Sequence, residues 1–158
     1  MANTDNGNIR FFKTEVGKWR WIMFDVDQSF RQASHNTVAA HLNPAGTGSM
    51  NRFPTTLING LLKNPGFKDK FLSRFAWQMK NIWAADVVNA HIDRFVSAIG
   101  TEMKRDCARW EREYSVWENA VQSLRDFIGE RNGYLEKYVK SYFKLNDSDM
   151  KKYGFDAV

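Results

Sequence analysis

The chain has 158 residues and a formal net charge of +5, and its composition is that of a folded globular domain. Hydrophobic residues make up 43% and aromatic residues 15%, which excludes an intrinsically disordered chain and provides for a sizeable core. The 23 basic residues are mixed with 18 acidic ones, so we expect no nucleic-acid-binding arm. The single cysteine excludes an intramolecular disulfide and a cysteine-based zinc site. No stretch is long and apolar enough to predict a membrane span.

Two aromatic runs near the N-terminus predict a β-hairpin. Residues 9–14 and 19–24 combine aromatic and β-branched side chains, and the short break between them contains Gly17. Because the second run is almost entirely apolar, we expect both of its faces to be covered. Residues 1–8, which precede the first run, are turn formers that we expect to be flexible.

The remainder of the chain is predicted to be helical after a long loop. Residues 25–52 predict this loop, with a short helix around 36–42. From Pro54 onward, apolar residues recur every three or four positions, which predicts four or five amphipathic helices. Pro54 suits a helix start, and Asn64-Pro65-Gly66 is expected to end that helix. The polar tail, residues 146–158, is expected to fray.

Two apolar stripes, over residues 117–128 and 134–143, predict the last two helices. Ser115 and Glu118 have the spacing of a capping box ahead of the first stripe. The expected fold class is therefore mainly α, with an N-terminal β-hairpin, a long loop and a bundle of four to five helices. We expect residues 1–158 to form a single domain.

Four oxygen-bearing side chains flank the predicted strands. Asp5 and Asn8 precede the first strand, and Asp25 and Asp27 follow the second. Because a hairpin returns the chain to its starting end, we expect the two pairs to lie close together. Mg²⁺ binds one or two carboxylates together with phosphate oxygens and water. Asp and Asn also flank strands as turn formers, so these residues alone leave a magnesium site and an ordinary turn both open.

Other residue types give no comparable motif. The sequence has no phosphate-binding glycine loop, no zinc-binding pair of histidines at helical spacing and no nucleophile motif. Its three histidines are scattered, and we expect them to be surface or core residues. Four arginines could line an anionic groove, although such side chains are more often solvated or paired with neighbouring acids: Arg74, Arg94, Arg125 and Arg131.

Residues 3–11 and 18–27 together resemble the catalytic-loop-to-metal-loop region of the CotH family, whose members have an atypical protein-kinase-like fold. The shared pattern is an Asp, an Asn shortly after it, a strand with Arg and aromatic residues, and then Asp-x-Asp or Asp-x-Asn. Residues 64–75 are similar to the family's segment of Asn-Pro, Phe and an arginine-containing helix. With further similarity in the C-terminal helices, the resemblance extends from about residue 3 to about residue 143.

The resemblance implies a role for each of the four oxygen-bearing residues. Asp5 would be the catalytic-loop carboxylate that orients or deprotonates the acceptor hydroxyl. Asn8 would help to hold Mg²⁺ near the nucleotide, and Asp25 would bridge Mg²⁺ to the phosphates of ATP. Asp27 would be a second or substitute metal ligand. The family has Gly after the aromatic residue that follows Asp-x-Asp, whereas Arg31 stands there in this chain, so we expect the loop to turn differently.

The resemblance also implies a function, namely the C-terminal lobe of an atypical protein kinase that transfers phosphate from Mg-ATP to a protein hydroxyl. Implied substrates are coat or cell-surface proteins, and the implied location is a spore coat or cell surface. The nucleotide-clamping N-terminal lobe is expected ahead of residue 1, so we expect the isolated chain to be inactive or nearly so. Without that lobe, an apolar hairpin face is expected to drive self-association. The alternative is a non-catalytic interaction or structural module of a coat or cell surface.

Overall fold

The computed structural model of the protein describes residues 10–22, 24–43 and 52–155. The fold is mainly α with an N-terminal β-hairpin, as predicted. The hairpin consists of β1 (Arg10–Phe12) and β2 (Arg20–Ile22). The described helices are α1 (Thr37–Leu42), α2 (Arg52–Leu62), α3 (Pro65–Asn81), α4 (Ala85–Arg109), α5 (Tyr114–Phe143) and α6 (Asp147–Tyr153).

The hairpin is antiparallel and largely exposed. Phe11 lies opposite Trp21 in the register, and the Phe11 ring contacts Trp19 edge-to-face with ring centroids 5.4 Å apart. The side chains of Phe11 and Trp19 are 45% and 64% exposed, so the predicted apolar surface is present. The expectation that both faces of the second run are covered is wrong for Ile22 and Phe24, which are exposed within this chain.

Most of the core lies in a region that we call the base, formed by α1, α2, α3, α6 and the C-terminal third of α5. Leu72, Met79, Val139 and Phe155 are almost completely buried there. The predicted boundary at residues 64–66 is confirmed, and it also starts the next helix. Asn64 caps α3 by accepting a hydrogen bond from the Phe67 N–H at 3.1 Å, and Pro65 occupies the first turn.

The second region is an arm formed by α4 and the first half of α5, residues 85–126. These two long helices pack along each other, yet Cys107 is the one buried residue of α4. The two predicted stripes belong to one continuous helix of 30 residues, α5. The predicted capping box is wrong, because α5 begins at Tyr114 after Glu113, with no side-chain cap, and Ser115 already lies inside the helix.

The polar tail contains a docked helix where the sequence predicts fraying. Asn146 and Asp149 form a reciprocal capping box at the start of α6. Gly154, with φ of 88°, ends the helix, and Phe155 then enters the base with 1% of its surface exposed. The cap and this single aromatic anchor explain why a polar segment is ordered over residues 147–155. None of the helices in the described ranges is long and apolar enough to cross a lipid bilayer.

Candidate functional site

Residues 25–30, which we call the metal loop, leave the end of β2 and carry both predicted carboxylates. Asp25 has a left-handed backbone with φ of 50°, a conformation that Asp tolerates better than most residues. A turn follows, in which the Ser29 N–H donates to the Val26 carbonyl at 3.0 Å. Asp25 and Asp27 are both exposed, so their carboxylates lie at the solvent surface of this turn.

A second left-handed residue, Phe30, ends the metal loop. Its φ of 62° is unusual for a bulky side chain and costs on the order of 1–2 kcal/mol. The Phe30 ring packs edge-to-face on Phe127 of α5, with ring centroids 5.3 Å apart, and this contact holds the conformation. The family pattern has Gly at the position of Arg31. In this chain the left-handed conformation lies one position earlier, at Phe30.

The segment after the metal loop is fixed to α5 by a buried guanidinium group, which we call the Arg131 clamp. Arg131 is 3% exposed. It donates hydrogen bonds to the carbonyls of Ala33 and His35, the latter at 2.7 Å, and to the Thr37 hydroxyl at 2.6 Å. A single side chain therefore holds the segment of residues 33–37 at three points.

The electrostatics of the clamp differ from those of an ion pair. Burial lowers the pKa of the Arg131 guanidinium, which nevertheless stays protonated because an arginine starts from so high a value. Carbonyl and hydroxyl oxygens, rather than a carboxylate, accept its hydrogen bonds. Tyr138, two turns further along α5, donates to the Ser34 carbonyl and extends the same attachment.

Asp25 and Asp27 are thus brought into one loop, whereas Asp5 and Asn8 lie outside the described residues. That the two pairs meet stays a prediction. The Gln28 side-chain amide donates to the Asp27 carboxylate at 3.0 Å, at an exposed position. Exposed carboxylates two residues apart fit Mg²⁺, which takes one or two carboxylates and keeps several waters. Over residues 10–22, 24–43 and 52–155, no three His, Cys, Asp or Glu side chains are grouped so that they could hold a metal ion.

The four arginines singled out in the sequence have different surroundings. Arg125 forms the predicted type of ion pair, with Asp93 at 2.6 Å. Arg74 lies over the Trp77 ring at 4.1 Å, and Arg94 contacts His91 at 2.8 Å. For Arg131 the expectation of a solvated or acid-paired side chain is wrong. Its position in line with the buried stripe of Phe127, Leu135 and Val139 is the sequence signal that could have revealed its burial.

The model of the family described as CotH kinase protein matches residues 1–135. The chain belongs to the CotH kinase protein family. The matched region contains the predicted catalytic carboxylate Asp5, the three predicted metal ligands Asn8, Asp25 and Asp27, and Arg131, and it ends within α5. Helix α6 and the last part of the base core lie beyond it. No curated protein and no solved structure matches the chain.

Proposed function

We propose that this CotH domain is the catalytic-loop and metal-loop part of an atypical protein kinase, which transfers phosphate from Mg-ATP to a hydroxyl side chain of a protein. The observation that carries the proposal is the metal loop itself. Two exposed carboxylates stand in a constrained turn shortly after β2, in a segment whose Asp-x-Asp resembles the metal-binding pattern of the family.

The proposed roles follow from the chemistry of each side chain. Asp25 and Asn8 would ligate Mg²⁺ beside the ATP phosphates, with Asp27 as a second ligand. When bound, Mg²⁺ would neutralise the negative charge of the phosphates. Asp5 would accept the proton of the acceptor hydroxyl as that oxygen attacks the terminal phosphorus and the bond to the leaving ADP oxygen breaks. The substrate class that we propose is a coat or cell-surface protein.

The exposed surface of the hairpin supports the proposal that the kinase site is completed by a further lobe. A two-stranded hairpin alone is marginally stable, and Phe11, Phe12 and Trp19 present apolar surface to solvent. We propose that a nucleotide-clamping lobe covers this surface in the active kinase. When that lobe is absent, the chain would instead self-associate through the exposed hairpin surface.

The test is a Mg²⁺ titration with and without ATP, followed by NMR of the backbone amides. Addition of Mg-ATP is expected to shift the Asp5, Asn8, Asp25 and Asp27 amides together, and Asp25→Ala is expected to abolish the response. Asp93→Asn, which removes an exposed carboxylate of the arm, is the matched control and is expected to leave the shifts intact. If millimolar Mg-ATP moves none of these amides, the proposal is wrong and the interaction-module alternative is favoured.

A further inference from the structure

We infer that Arg131 is a positioning residue for the metal loop: without touching Asp25 or Asp27, it fixes the backbone geometry in which both carboxylates are presented. The inference deepens the proposed function and rests on it for the identity of the ligand, Mg-ATP. The effect of Arg131 on the backbone of the loop can be measured with no ligand present.

A continuous series of contacts links the carboxylates to α5. The Ser29 N–H bond to the Val26 carbonyl closes the turn that contains Asp27. Phe30, the next residue, packs on Phe127 of α5. Three residues further on, the backbone reaches the guanidinium of Arg131, one turn after Phe127 on the same helix. The loop is therefore attached to α5 at two neighbouring points of one rigid element.

The clamp requires the shape of a guanidinium. Its planar group carries donors in a fixed fork, so one side chain can bind two backbone carbonyls and a hydroxyl at once. A lysine keeps the charge but offers one nitrogen, which cannot reach all three acceptors in the same geometry. Leu135 and Val139, one and two turns beyond Arg131, are buried in the base core, so the clamp connects the loop to a helix that is anchored in that core.

Arg125 provides a matched control on the same helix. Like Arg131 it is hydrogen-bonded, at 2.6 Å to Asp93 and 3.3 Å to Asn89, but it is less deeply buried and its partners belong to α4 in the arm. Arg131→Lys and Arg125→Lys are thus the same chemical change on one helix. They differ in whether the segment held is the one that directly follows the metal loop.

The experiment combines amide hydrogen exchange across residues 24–37 with Mg-ATP affinity from the NMR titration, at a temperature where both variants keep the native helix content. For Arg131→Lys we expect loop exchange to accelerate and Mg-ATP binding to weaken, each by about tenfold, roughly the effect of losing one or two net hydrogen bonds. Exchange in α3 is expected to be unchanged. Arg125→Lys is expected to leave both loop readouts at the wild-type level.

The possible outcomes separate the inference from the proposed function. If Arg131→Lys leaves loop exchange unchanged, or accelerates it with no loss of Mg-ATP affinity, the positioning role is wrong. If loop exchange accelerates but the wild-type chain binds no Mg-ATP, the clamp is supported and the proposed function fails. Should Arg131→Lys not fold, Thr37→Val removes a single acceptor of the clamp and is expected to change both readouts in the same direction by a smaller factor.

Discussion

The base and the arm are built from similar amphipathic helices but bury their apolar residues to very different extents. In the base, several helices converge, and side chains such as Leu72 and Met79 are completely buried. In the arm, two helices pack along each other, and Phe95 of α4 remains 63% exposed. Helix α5 belongs to both regions, and Arg131 lies near the junction. The metal loop is thus attached where α5 enters the base, at the well-packed end of that helix.

The largest expected effect compares one substitution in the two regions. Phe155→Ala removes a ring that is 1% exposed in the base, and we expect it to lower the free energy of unfolding by about 3–5 kcal/mol. Phe95→Ala in the arm is expected to cost about 0.5 kcal/mol or less, because the ring is mostly in water. Urea denaturation of both variants measures the difference, and equal losses would contradict the division into base and arm.

Substitution of the two arginines of α5, Arg131 and Arg125, is expected to give the next largest difference in the free energy of unfolding. Arg131→Met leaves the partly buried carbonyls of Ala33 and His35 without their donor, which we expect to cost about 2–3 kcal/mol of unfolding free energy. Arg125→Met breaks a partly exposed ion pair with Asp93 and is expected to cost about 1 kcal/mol or less. The comparison is again made by urea denaturation. A smaller loss for Arg131 than for Arg125 would mean that the loop is not held by the clamp.

Self-association through the exposed hairpin is expected to increase with protein concentration. Trp19 is more exposed than Phe11 and Phe12, and we expect Trp19→Ser to weaken self-association without changing helix content. Sedimentation velocity over a range of protein concentrations measures this change. A strictly monomeric wild-type profile at high concentration would show that the apolar hairpin does not associate by itself.

The smallest expected effect is a pH dependence at the docking site of α6. The hydrogen bond and charge of Lys140, 2.5 Å away, hold the pKa of the Asp147 carboxyl below its usual value near 3.8. Because this pKa is depressed on folding, the stabilisation is present above the usual value and is lost as the pH falls through the lower folded value. Asp147→Asn is therefore expected to lower the melting temperature slightly at neutral pH. The difference should vanish in strong acid; a difference that persists there would have another cause.

Local signals predicted much of the fold. The hairpin, the short helix around 36–42 and the boundary at residues 64–66 are confirmed because each depends on nearby residues, such as the aromatic runs and the Asn-Pro pair. The sequence also predicts that Asp25 and Asp27 lie in one loop after the second strand, as the structure has them, whereas their binding of a metal ion stays a prediction. The geometry of the complete site stays a prediction, since Asp5 and Asn8 lie outside the described residues.

The features that were missed depend on tertiary contacts of polar residues. The polar interval between the two stripes of α5 contains Arg131 and Asn132, and the two separate stripes predict two helices where the structure has one. Both side chains instead bind backbone carbonyls of other segments: Arg131 those of the loop, and Asn132 those of Met79 and Trp83 at the end of α3. No local periodicity shows such partners, which exist only once the loop and α3 are in place.

The measurement that tests the central claim most directly uses Mn²⁺ as a paramagnetic substitute for Mg²⁺, added with ATP to the wild-type chain. Our account predicts that NMR signals of residues 24–29 broaden first, while those of the end of the arm far from the metal loop, residues 100–117, stay sharp. It also predicts that Asp25→Ala removes this selective broadening. Uniform broadening, or broadening that begins in the arm, would show that the metal loop is not the cation site.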